Sequence, residues 1–277
     1  MQEFTKAEDL LRKFKADKYL FGQDILKRAV KNASKMGRSA LLFRSTFTGS
    51  DDHVDLIRNT LKKSGVVLAG IFKGAKPNSP KEDVLRMAAV IDKAKPDFVV
   101  TFGGGSNIDA VKAALVLHSF GGDLDEYFGV GRVSAAIKDS GKKLLPHLAI
   151  QTLAGSGAHL TKYSNITDTT TYQKKLIIDE AVVPDLSIFD YSVTYDAPLK
   201  ITSDGALDGF THLIEVLYGA EGKPGFKKVS EIASAGIELI VKYLPEVINT
   251  PNDIIARNAL CYGTDLGGYA IMIGGTN

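Results

Sequence analysis

Three glycines and a serine, Gly103-Gly104-Gly105-Ser106, stand between an apolar run and a helical pattern in the segment PDFVVTFGGGSNIDAVKAA. Phe98, Val99, Val100 and Phe102 suit a strand buried on both faces, and Ile108, Val111, Ala114 and Leu115 recur at helical spacing. A strand-turn-helix junction of this composition lets the backbone turn sharply and approach a ligand closely. The N–H groups at the helix start then attract an anion. Ser106 adds a hydroxyl at the same place, so the expected chemistry is phosphate binding. Glycines after a strand also make plain tight turns, and these residues alone leave that reading open.

A second chemical signal is Asp208 with His212 in DGALDGFTHLIEVLYG. Four residues apart on a helix, a carboxylate and an imidazole project from one face and can share a divalent metal such as Fe2+ or Zn2+. The same spacing is common on solvated helix faces. Leu207, Phe210, Leu213 and Ile214 surround the pair, and an apolar neighbourhood makes an unpaired aspartate costly. Of the other histidines, His159 follows a second glycine-rich turn, LAGSGAHLT, and could face a cleft; His53, His118 and His147 read as structural or surface residues. Cys261 is the single cysteine, so no internal disulfide forms.

The elements that must position these groups alternate up to about residue 120. Helix is expected over 23–36, strand over 40–43, helix over 51–63, strand over 66–72, and helix over 80–93. Ser79 would cap this last helix and Glu82 complete a capping box. Such alternation predicts a parallel sheet wrapped by helices, with ligands at the carboxyl ends of its strands. From 141 to 190 short β-like runs continue the sheet through a hairpin. Helices then follow at 202–218, 226–243 and 252–273, the last opened by Thr250-Pro251. The fold class is therefore an α/β N-terminal domain with a Rossmann-like parallel sheet, residues 1–190, followed by an all-α domain, residues 191–277.

Lysine and arginine number 34 against 32 acidic residues, a balance that argues against a nucleic-acid footprint or a polybasic membrane patch. No run reaches membrane-spanning length. The expected setting is the cytoplasm, and the expected partners are small molecules and, by analogy, a second copy of the chain.

With these segments in place the chain resembles the iron-containing, or group III, alcohol dehydrogenases. PDFVVTFGGGSNIDAVKAA is similar to the family's GGGSxxDxAK signature, Gly74-Ala75-Lys76-Pro77-Asn78 to the stretch ahead of it, AIQTLAGSGAHLT to its second glycine loop, and DGALDGFTHLIEVLYG to its metal helix. The resemblance implies hydride transfer between a nicotinamide cofactor and an alcohol or aldehyde, with no side-chain nucleophile. It places Gly104, Gly105 and Ser106 on the pyrophosphate, with Asn78, Asp109, Thr152, Leu153, Ser156 and Lys174 as further cofactor contacts. It puts Tyr163 and His159 beside the substrate and Asp208 with His212 on the metal. Arg44 and Ser45 stand where NAD-preferring members carry an aspartate, so NADP is expected over NAD. Two further histidine ligands of the family would fall beyond Asn277, and the helical domain is expected to be partial, with weak metal binding. A silent nucleotide-binding module and a dehydroquinate synthase-like lyase are the alternative readings.

Overall fold

The computed structural model describes residues 4–275. The first elements are α1 (Thr5–Lys15), β1 (Tyr19–Gly22), α2 (Leu26–Val30), β2 (Ser39–Arg44), α3 (Ser50–Lys63), β3 (Val67–Lys73), α4 (Lys81–Ala94), β4 (Phe98–Gly103) and α5 (Gly105–Phe120). Next come β5 (Gly129–Val130), α6 (Arg132–Ser140), β6 (His147–Gln151), β7 (Tyr163–Asp168), β8 (Gln173–Ile178) and β9 (Leu186–Asp190). The helices α7 (Leu199–Ala220), α8 (Phe226–Asn249) and α9 (Ile254–Gly274) complete the order. The described residues divide into two compact units, one of residues 25–151 and 162–188, the other of the remaining described residues.

In the α/β unit the strands follow the order β9-β6-β4-β2-β3. β3, β2, β4 and β6 are parallel by register, with Arg44 beside Phe102 and Gly103 beside Gln151. All carboxyl ends therefore meet on one edge, where the glycine turn begins. β4 and β6 are buried throughout, as continuous apolar runs in a doubly covered sheet require, whereas β3 at the edge alternates exposed and half-buried positions. Every residue of α5 from Asn107 to Leu117 is buried, and its core cluster includes Leu41, Val84, Met87, Ile91 and Val99.

Four expectations are corrected here. The hairpin at residues 163–178 forms, but β7 and β8 pair with β5 in a separate three-stranded sheet instead of extending the main one. The segment 23–36 is a short α2 followed by a 3-10 turn over Lys31–Lys35. Ser79 does not cap α4: it takes a positive φ of 48° and donates its hydroxyl to Ser106 O, while Glu82 accepts from Thr169 Oγ1. α9 is capped by Asp253, which accepts from Ala256 N, and not by Thr250.

In the other unit α7, α8 and α9 pack on one another, and α1 lies against α9. β1 neighbours the last residues of β9, Phe189 and Asp190. α8 runs past the expected end at 243, through Pro245, to Asn249. Among the described residues no helix is long and apolar enough to cross a membrane.

Candidate functional site

β4 delivers the chain to Gly103, and Gly104 is the N-cap of α5. A Cβ on Gly103 would stand 2.5 Å from Ser45 Oγ and 2.7 Å from Asn107 Nδ2, so only glycine fits this corner. Gly104, Gly105 and Ser106 are half-buried, whereas Gly103 and Asn107 on either side are buried. The first N–H groups of a helix have no partner within it, and here they open at the carboxyl edge of the sheet. The junction is thus built for an anion.

The surrounding loops are tied to this turn. Ser106 Oγ accepts from Asn78 N at 3.0 Å, and Asn78 takes a φ of 66° to make that approach. Thr167 Oγ1 donates to Asn78 O at 2.7 Å, and Lys174, exposed, is the cross-strand partner of Thr167. The structure therefore joins Asn78 to Ser106 directly and sets Lys174 on the next strand, opposite Thr167. Asn107 was not foreseen. Its buried amide donates to Phe43 O and Phe102 O at 3.2 and 3.4 Å and accepts from Ala75 N at 3.2 Å, locking the ends of β2 and β4 to the loop after β3. Its position inside the helical pattern carries no signal for such a role.

At the end of β2, the two terminal nitrogens of Arg44 grip the Asp51 carboxylate and the Ser50 hydroxyl, and its Nε donates to Ser45 O at 3.3 Å. Asp51, from the first turn of α3, is the second group that sequence reading missed.

Asp109 stands on the buried side of α5. Its Oδ2 accepts from Asn165 N at 3.2 Å, its carbonyl accepts from Ser164 Oγ at 2.7 Å, and its Oδ1 is 3.8 Å from Lys112 Nζ. Lys112 in turn donates to Tyr163 O at 2.7 Å. This buried pair fastens α5 to β7. Burial pushes the Asp109 carboxyl up to about 6, with Lys112 and the Asn165 N–H opposing, and pushes Lys112 down to about 8 against the pull of Asp109. Tyr163 is buried at the start of β7.

In the helical unit, residues 152–161 carry Thr152, Leu153, Ser156 and His159. A Cβ on Gly205 of α7 would stand 1.9 Å from Ala154 O, so backbone lies on backbone there. Asp208, one helical turn further, faces His212, with Nε2 and Oδ1 3.8 Å apart. His212 Nδ1 is buried without a hydrogen bond. The Asp208 side chain is 49% exposed, so the expected apolar enclosure of this carboxylate is not present. The two donors suit one divalent ion at ordinary ligand distances of about 2.0–2.2 Å. Among the described residues no group of three or more His, Cys, Asp or Glu side chains could hold a metal, and Thr276 and Asn277, at the edge of the expected remaining ligands, lie outside those residues.

The sequence model "Iron-containing alcohol dehydrogenase" matches residues 16–191. "Alcohol dehydrogenase 4" of Schizosaccharomyces pombe is 29% identical over 257 residues, covering 91% of this chain and 57% of that protein. The "NAD-dependent methanol dehydrogenase" of Bacillus methanolicus is also 29% identical over 257 residues, covering 92% of this chain and 65% of that protein. The chain thus spans about six tenths of the length of these relatives. The solved NADH-dependent butanol dehydrogenase A of Thermotoga maritima superposes with a TM-score of 0.81 at 26% identity, over 94% of this chain and 63% of that one. That family match spans more than half of the chain, and the chain belongs to the iron-containing alcohol dehydrogenases.

Proposed function

We propose that this chain binds a nicotinamide dinucleotide at the start of α5 and, with a divalent metal, transfers hydride between that cofactor and a small alcohol or aldehyde. The half-buried N-terminus of α5 at the carboxyl edge of a parallel sheet carries the reading. Gly104, Gly105 and Ser106 would hold the pyrophosphate through backbone N–H groups and a hydroxyl. Asn78 borders the same turn, and with Lys174 would contact the ribose side. Thr152, Leu153 and Ser156 would clasp the nicotinamide side, and Tyr163 would wall the substrate. Asp208 and His212 would hold the metal, which as a Lewis acid supplies polarisation of the alcohol or carbonyl oxygen. Aspartate and histidine donors of this kind suit Fe2+ or Zn2+.

For the cofactor we favour NAD over NADP, revising the expectation drawn from Arg44. Asp51 returns a carboxylate to that corner and occupies the guanidinium that would otherwise pair with a 2′-phosphate. Fluorescence titration should give tighter binding of NADH than NADPH, and Asp51→Asn should move the ratio about tenfold toward NADPH. Tighter NADPH binding by the unsubstituted chain would refute this assignment.

A second reading, binding without turnover, is favoured by the two-donor metal pair. Oxidation of NADH by a short aldehyde in the presence of added Fe2+ separates the two. Turnover that disappears in Asp208→Ala supports the dehydrogenase. Cofactor binding with no metal-dependent turnover supports the module.

A further inference from the structure

The loop at 152–161 carries a buried histidine near its end, and the structure sets a carboxylate beside it. His159 Nε2 lies 3.3 Å from Asp265 Oδ1 of α9, with both side chains 1% exposed. The other oxygen of Asp265 accepts from Tyr191 Oη at 3.0 Å and from Tyr19 Oη. Burial first, and Asp265 second, hold both phenols well above their ordinary range, so both stay protonated and both donate. The His159 ring lies 5.3 Å from Tyr19 and 5.6 Å from Phe189. The imidazole therefore lies against a carboxylate on one side, with aromatic rings around it.

Two backbone contacts complete the seating of this loop. At one end Ala154 O rests on Gly205 of α7, three residues before Asp208. At the other a Cβ on Gly157 would stand 2.7 Å from Gly268 Cα of α9. The loop is thus pressed onto both helices. The contacts themselves are non-directional, and a side-chain contact of the loop with α9 is added by His159 beside Asp265.

We propose that Asp265 is a positioning residue: through His159 it sets the 152–158 loop on α7 and so fixes the cofactor clasp relative to Asp208 and His212. The proposal rests on the functional reading above for what the loop holds. The seating of the loop stands on its own. Asp265→Asn takes the carboxylate from the buried imidazole and His159→Gln takes the imidazole from the loop's end, so each change removes the polar side-chain contact between the loop and α9.

The test uses NADH fluorescence and hydrogen exchange on the full chain. Asp265→Asn and His159→Gln should each raise the NADH Kd about tenfold and speed exchange across 152–161, while α7–α9 stay protected. The double variant should lose no more than either single one. Tyr191→Phe removes a bond to the same carboxylate but leaves the His159 pair, so its NADH Kd should stay within about twofold even where the melting temperature falls. If Asp265→Asn does not fold, His159→Gln carries the comparison. Unchanged affinity and unchanged loop exchange in a folded variant overturn the proposal. A wild-type chain that fails to bind NADH defeats the functional reading instead, and the exchange rates then decide the positioning role alone.

Discussion

Lys112→Met is expected to destabilise the α/β unit by about 3–5 kcal/mol, because it leaves the Asp109 carboxylate buried without its cation. Tyr163 O loses its donor in the same step. For a chain of this size the melting temperature should fall on the order of 10 °C. The double variant Asp109→Asn with Lys112→Met should recover much of the loss, since a buried pair replaced on both sides is often close to neutral.

The sign of the pH dependence follows from the shifts. Asp109 is raised from 3.8 to about 6 in the fold, so its contribution is present below 3.8 and lost as pH rises through about 6. Lys112 is what holds that carboxyl down, and without it the folded value climbs further. The single variant should therefore draw closer to wild type at pH 5 than at pH 7. Denaturant unfolding at both pH values reads this directly. A Lys112→Met loss below about 1 kcal/mol at pH 7 would show that the pair is not the fastening described.

Gly205→Ala is the second large effect, and its sign is diagnostic. In an exposed helix interior, alanine stabilises relative to glycine by about 1 kcal/mol. At this position the new Cβ would meet Ala154 O at 1.9 Å and Ala154 C at 3.0 Å. Both contacts are backbone, so no flexible side chain can yield. Overpacking of this kind costs typically 1–3 kcal/mol, which reverses the usual sign. The relief available is a shift of the 152–158 loop, so weaker NADH binding should accompany the lower stability. A stabilised Gly205→Ala chain would mean that the loop does not lie on α7 as described.

The glycine turn was legible because its strand, its glycines and its helix are consecutive letters, and the geometry of a helix start follows from local chemistry. The Asp208 and His212 pair was legible for the same reason: one turn of helix sets its spacing. What escaped reading depends on residues distant in sequence. Asp51 answers Arg44 from the next helix, Asn107 reaches backward to Phe43, and Asp265 meets His159 across 106 positions. None of these carries a periodic or motif signal. The α4 start misled because Ser79, an ordinary capping residue, is claimed by Ser106 O, and a tertiary bond there outweighs a local preference. The hairpin at 163–178 reads as strand either way, and only the anchoring of β7 beneath α5 by Asp109 and Lys112 assigns it to a second sheet.

The central claim is that the start of α5 binds the cofactor's pyrophosphate, and NADH titration of the wild-type chain beside Gly105→Asp tests it most directly. An aspartate in the first turn suits a helix N-terminus and should leave the fold intact, while placing a negative charge where the pyrophosphate would sit. The account predicts saturable fluorescence enhancement with the wild-type chain and a loss of affinity of about a hundredfold or more in the variant. Equal NADH binding by the two chains, or none by either, would contradict it.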